Sequence, residues 1–227
     1  MIPRSLCRAA AAALLTAALL PACHHNRELA ARAAAGDAAA QYEYGRRLLT
    51  GQRGLSENPE TAYAWLSAAA EQGNDRAEAM LGLCHERGLG VEPDVAEARR
   101  WYTKSAEQGN ANACRALVQL AVREGDINEA GRWLTPLAEG GSEAAQLLLG
   151  KLYLGGLLGE RHEAQAVRYL RFAAMQGNGD ACLLMGACYA NGTGVPKDEA
   201  LMRGWLNNAV DCGNEQAAVL LETMQKS

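Results

Sequence analysis

An all-α fold, a solenoid of antiparallel helix pairs, follows from three features of the 227-residue chain. First, a short signature recurs at a nearly fixed interval. Gln72-Gly73-Asn74 returns as Gln108-Gly109-Asn110, Gln176-Gly177-Asn178 and Cys212-Gly213-Asn214, and the first and last of these steps are equal in length. Gly141 falls between, slightly nearer to Gly109 than to Gly177. Second, each period splits into two stretches whose apolar residues have helical spacing. Third, Ala and Leu dominate, β-branched residues are sparse and there is one Phe. Such side chains lose little entropy in a helix.

The segment 1–22 is of another kind. Arg4 and Arg8 precede an uncharged apolar run from Ala9 to Leu20. That run is too short for a stable bilayer span. With small residues at its end, it reads as a secretory signal, 1–22. Leu20-Pro21-Ala22-Cys23 resembles a bacterial lipobox, which implies cleavage before Cys23 and lipid attachment to it. His24 stands where inner-membrane lipoproteins of that class carry Asp, so the resemblance implies the outer membrane, facing the periplasm. An ordinary signal cut after Ala22, without lipid, is the alternative. Cleavage would remove two arginines and no acid, taking the formal charge from −4 to −6.

Residues 23–37 read as a tether and a capping helix, 26–35. Five repeats follow at 38–74, 75–110, 111–142, 143–178 and 179–214, each with a first helix (A) and a second (B). Residues 215–227 read as a lone closing helix A, with Ala217 and Leu221 inward and Glu215, Gln216, Glu222, Gln225 and Lys226 outward. Twelve helices are therefore expected. Ala77, Leu81 and His85 share one face of a helix A, and Ala98, Trp101 and Ser105 one face of a helix B. Small pairs such as Ala69-Ala70 and Ala173-Ala174 let backbones approach. Gly73 and its equivalents stand where a helix end needs positive φ. The following Asn or Asp can cap the next helix, and Asp94 and Asp198 can cap helices B. One hairpin cannot bury its apolar face alone, so neighbours must stack. In the third repeat Gly125 runs almost directly into Asp126, which predicts a tight turn.

Within each period lies a second signature: Leu81-Gly82, His85, Gly88-Leu89-Gly90-Val91; Leu149-Gly150, Tyr153, Gly156; and Met185-Gly186, Tyr189, Gly192-Thr193-Gly194-Val195. Ala98-Arg99-Arg100-Trp101 and Ala166-Val167-Arg168-Tyr169 follow. These residues resemble the Sel1-like repeat family, relatives of the tetratricopeptide repeats, over about 38–214. The resemblance implies a right-handed superhelix with the A helices on its concave wall. It also implies a habit of binding protein or peptide rather than a reaction.

Motifs for chemistry are missing from the sequence. There is no Cys-x-x-Cys and no His-Glu-x-x-His, so no metal is expected. There is no phosphate-binding Gly-x4-Gly-Lys-Ser/Thr, no Gly-x-Ser-x-Gly and no Ser-x-x-Lys. No catalytic residue and no cofactor are expected, and the charge does not suit nucleic acid. Gly192-Thr193-Gly194 reads as an inter-helix loop. Trp65, Trp101, Trp133 and Trp205 share one helix-B position, with Tyr169 in the remaining repeat, and are expected to pack between helices with the indole N–H bonded. Cys84 and Cys188 share one helix-A position, and Cys114 and Cys182 another, each a slot that a small apolar thiol fills. Cysteine-rich members of the family pair cysteines eight residues apart. Ala106 and Ala174 occupy those places before Cys114 and Cys182, so that framework is absent here.

By the tetratricopeptide layout, the inward positions of the A helices are Tyr42, Arg46 and Leu49; Arg76, Leu83, Glu86 and Arg87; Asn112, Arg115, Gln119 and Arg123; Leu147, Lys151 and Leu154; and Asp180, Leu183 and Asn191. The first four repeats thus present six basic residues and one acid. This predicts a partner-binding surface at Tyr42, Arg46, Arg76, Arg87, Arg115, Arg123 and Lys151, suited to an acidic or carboxylate-bearing protein or peptide. The expected function is a non-catalytic, lipid-anchored scaffold of the bacterial cell envelope. A cell-wall or β-lactam hydrolase and a secreted effector that contacts host proteins are the rival readings.

Overall fold

The computed structural model describes residues 23–158 and 162–226, with side chains from Asn26 to Met224. The signal expected at 1–22 and the side chain of Cys23 lie outside what is described. The described residues form twelve α-helices and no strand. These are α1 (Cys23–Ala34), α2 (Ala38–Thr50), α3 (Pro59–Glu71), α4 (Asp75–Arg87), α5 (Val95–Glu107) and α6 (Ala111–Glu124). They continue with α7 (Ile127–Glu139), α8 (Glu143–Leu154), α9 (Glu163–Met175), α10 (Gly179–Asn191), α11 (Glu199–Asp211) and α12 (Glu215–Lys226). The chain divides into two compact units, Met1–Ala116 and Leu117–Ser227.

In the first unit each helix from α1 to α4 packs on its successor, and α2 also touches α4. The core there begins with Ala33, Ala40, Leu48, Ala62 and Trp65. It continues through Leu66, Ala69, Ala70, Ala77, Leu81 and Cys84. In the second unit each helix from α7 to α11 packs on its successor. A core of Leu170, Ala173, Cys182, Met185, Cys188, Leu206 and Ala217 runs through α9 to α12. α1 and α12 each pack on one neighbouring helix. Ala30 and Ala33 of α1 are buried, and Ala217 of α12 is buried with Leu221 half-buried beside it.

Caps set the helix limits. Asn74, Asn178 and Asn214 each accept from the backbone N–H three residues on, and Asp94, Asp126 and Asp198 do the same for helices B. Such caps satisfy backbone donors that a helix start leaves open. A second bond links successive A helices at their starts. Asn110 donates to Asp75 at 2.9 Å, Asn178 to Glu143 at 2.5 Å and Asn214 to Asp180 at 2.9 Å. The third repeat turns as tightly as expected: only Gly125 (φ 77°) and Asp126 separate α6 from α7.

Close approach of A to B depends on a glycine inside helix A. A Cβ on Gly82 would stand 2.5 Å from the Tyr102 ring, and one on Gly150 would stand 2.6 Å from Leu170. The loop glycine Gly90 (φ 73°) abuts the preceding helix B, where a Cβ would run into the Pro59 carbonyl oxygen.

The helix-B aromatics pack against the core as expected: Trp65, Trp133 and Tyr169 are buried, and Trp101 and Trp205 are half-buried. The deeper residue is the next one along: Leu66, Tyr102, Leu134, Leu170 and Leu206 are each 4% exposed or less. The aromatic therefore edges the core. The indole N–H of Trp133 is buried without a hydrogen-bond partner, contrary to the expected bonding. Basic side chains cover several of these rings: Arg100 lies 4.8 Å from the Trp101 centroid and Arg132 lies 4.9 Å from that of Trp133. A ring capped by a cation is a packing element.

Candidate functional site

The A helices adjoin within each unit. In the first unit Tyr42 and Leu49 of α2 rest half-buried on the same core as Met80 of α4. In the second, Leu147 and Leu154 of α8 and Leu183 and Leu184 of α10 share one core. None of the described residues expected on the inner wall is fully buried. The wall thus combines half-buried leucines with charged side chains that reach solvent.

The basic residues differ in how far they are committed to neighbours. Arg46 is the most tied. Its guanidinium donates to Glu43 at 2.9 and 3.0 Å and to Gln52 at 3.2 Å. Glu43 also accepts from Arg47 at 2.7 Å. These bonds, chiefly from Arg46, hold the Glu43 carboxyl down at about 2 against the opposing effect of burial. Arg76 is exposed in the first turn of α4 and Arg87 is exposed at its last residue. Next to Arg87, Glu86 accepts from the Tyr102 hydroxyl at 2.9 Å. Arg115, exposed on α6, donates to Asn112 at 2.6 Å. Arg123 is exposed further along α6, in the second unit. Lys151 of α8 stands 3.5 Å from Asp180 of α10. Tyr42, Arg46, Arg76, Arg87 and Arg115 thus lie on helices A of the first unit, and Arg123 and Lys151 on helices A of the second. Internal pairing offsets part of the charge counted from the sequence, at Arg46 and at Lys151.

Sequence reasoning missed an apolar surface on helices B. Phe172 and Met175 of α9 are 42% and 74% exposed. They line a cleft of about 680 Å³ with Arg168, Tyr169, Gln176, Ala138, Glu139 and Gln146. The chain's one Phe on the outward side of a helix was the available signal.

Two groups with the means for chemistry, His85 and Cys84, are both buried. His85 meets the Tyr63 hydroxyl at 3.2 Å, but it is buried and its Nδ1 has no partner. Burial pushes the Cys84 thiol up to about 12, far from a reactive thiolate. Among the described residues no three His, Cys, Asp or Glu side chains converge to hold a metal. No described helix is long and apolar enough to cross a membrane.

The profile of the Sel1 repeat matches residues 38–74, 75–110, 143–178 and 179–214, more than half of the chain. A Sel1 repeat protein from Oxalobacter formigenes superposes with a TM-score of 0.65 at 34% identity, covering 82% of this chain and 78% of that one. DAP3-binding cell death enhancer 1 of Rattus norvegicus is 41% identical over 66 residues, 29% of this chain and 13% of its own length. Chitin synthase regulatory factor 3 of Schizosaccharomyces pombe is 35% identical over 92 residues, 37% of this chain and 10% of its own. The chain thus spans only a small part of either curated relative.

Proposed function

The chain belongs to the Sel1 repeat family, and from that membership we propose that it is a non-catalytic scaffold that binds a protein or peptide on its A-helix surface. In this reading it works in a bacterial cell envelope, held by lipid on Cys23 at the outer membrane and facing the periplasm. The observation that carries it is the make-up of the A-helix wall. Tyr42 and Leu83 in the first unit, and Leu147 and Leu183 in the second, give an apolar floor that is half open to solvent. Arg76, Arg87 and Arg115 are exposed on helices A of the first unit, and Lys151 on a helix A of the second. Leucines of this kind gain by excluding water from a partner. A guanidinium group suits a carboxylate, which it binds in a two-pronged fashion. The match is to a repeat and not to a catalytic family, and relatives named as a regulatory factor and as DAP3-binding fit an adaptor.

Site-directed photo-crosslinking in native envelopes tests this. A crosslinker at Leu83 should trap a discrete partner, and one at Phe172 should not. Capture from Phe172 alone would move the interface to helices B and end the proposal for the A wall. Labelled palmitate should enter the chain and be lost in Cys23→Ala; equal labelling of both would remove the anchor.

A further inference from the structure

The fourth residue of helix A recurs as a clamp. Gln41 of α2 donates to the Ala33 carbonyl oxygen at 3.1 Å and accepts from Gln72, the residue that ends α3, at 2.7 Å. Gln146 of α8 donates to the Ala138 carbonyl oxygen at 2.9 Å and accepts from Gln176, at the end of α9, at 2.7 Å. Glu78 of α4 accepts from Gln108, at the end of α5, at 2.6 Å. Each clamp fastens the first turn of helix A to the C-terminal end of helix B in the same repeat.

In the fifth repeat both places are cysteine. Cys182 is the fourth residue of α10, and Cys212 ends α11 where the others have Gln. Cys182 keeps the register of its equivalents. Its Sγ lies 3.9 Å from the carbonyl oxygen of Ala174, eight residues upstream, as Ala33 and Ala138 are from their glutamines. The first turn of α10 abuts the end of α11: a Cβ on Gly179 would lie 3.2 Å from the Cys212 carbonyl oxygen. Cys212 holds the place from which Gln72, Gln108 and Gln176 reach the fourth residue of helix A in their own repeats. Cys212 is exposed and Cys182 is only 1% exposed.

We propose that Cys182 and Cys212 are a redox modification site, a dithiol that closes to a disulfide and converts the side-chain clamp of the other repeats into a covalent one. The oxidant is an external disulfide, small or protein-borne. The exposed Cys212 thiolate attacks one sulfur of that disulfide, forms a mixed disulfide and expels one thiol. The Cys182 thiolate then attacks Cys212 Sγ, breaks the mixed bond and expels the second thiol. Two cysteine thiols lose two electrons and two protons, and one external disulfide becomes two thiols. Burial pushes the Cys182 thiol up to about 11, so closure relies on proximity more than on acidity. This pairing joins helix A to the end of helix B within one repeat. It differs from the eight-residue pairing of cysteine-rich relatives, whose other place Ala174 fills here.

Oxidation of the full chain with glutathione disulfide, followed by peptide mapping, tests the assignment. The expected product is a Cys182–Cys212 crosslinked peptide lacking two hydrogens and carrying no glutathione. Its formation should raise Tm by about 5 °C, reversibly with dithiothreitol. In Cys182→Ala, glutathione should accumulate on Cys212. The variant Cys182→Gln/Cys212→Gln restores the pair found in the first and fourth repeats, so it should fold and show no Tm response to oxidant. Glutathione retained on Cys212 in the native chain, a Cys212-linked dimer with Cys182 still reduced, or an unchanged Tm response in the double Gln variant would each overturn the proposal.

Discussion

At the scale of single residues, two carboxylates are held by different means. Glu78 is fully buried, with Gln108 donating to one oxygen and Lys104 Nζ 2.7 Å from the other. The Lys104 contact is one of charge, since that oxygen has no aligned hydrogen bond. The equivalent residue is Gln in the first and fourth repeats, where its amide also serves the carbonyl eight residues upstream. Glu78→Gln should therefore change stability by less than about 0.5 kcal/mol, while Glu78→Ala, which strands Gln108 and removes packing, should cost about 2 kcal/mol. Urea titration of both variants checks this; equal losses would refute it. Glu43 is half-buried on α2, its carboxyl lowered to about 2 by Arg46 and Arg47. A lowered value means that its contribution is complete above the ordinary carboxylate value of 4.5 and disappears as pH falls towards 2. Its side chain is 29% exposed, so solvent limits the contribution to about 1 kcal/mol. The stability gap between the native chain and Glu43→Gln should be present at pH 6 and reduced to about a quarter at pH 2.5. A gap unchanged over that range would show that Glu43 acts by packing.

At the scale of elements, the helix pair is set by what can approach what. Gly82 sits mid-helix, where glycine costs about 1 kcal/mol relative to alanine. It persists in physical terms because a methyl group there would press into the Tyr102 ring. Gly204, inside α11, has nothing within 4 Å of a Cβ position. The same substitution should therefore act in opposite directions: Gly82→Ala should lower stability by about 1–3 kcal/mol through overpacking, and Gly204→Ala should raise it by about 0.5–1 kcal/mol. Thermal melts of the two variants decide the matter, and two shifts of the same sign would contradict the packing described. The short connection between α6 and α7 shows the complementary rule. With two residues between the helices, Gly125 supplies the left-handed turn and Asp126 the next cap.

At the scale of the whole molecule, the proposed function rests on a surface shared by several helices and not on one pocket. Arg76→Ala/Arg115→Ala removes two exposed cations without touching a core residue, so its melting should match the native chain. Its affinity for a partner captured through the A wall should fall at least tenfold, with a weaker salt dependence. Unchanged affinity at matched stability would leave the arginines as solvating groups.

The periodic glycines, caps and apolar spacings determined the helices, their number and their order, because these depend on neighbours close by in the chain. Gly73, Asn74 and Asp94 carry the same instruction wherever the chain places them. The tertiary structure alone decided which residue of each helix B lies deepest, Leu66 or Tyr102 instead of the tryptophan before it. It alone decided that Lys151 is drawn to Asp180, and that the first turn of α10, which carries Cys182, abuts the end of α11 at Cys212. Burial depth, the meeting of Lys151 with Asp180 and the contact of α10 with the end of α11 depend on different helices coming together. A one-dimensional pattern holds no record of such distances until the helices are packed.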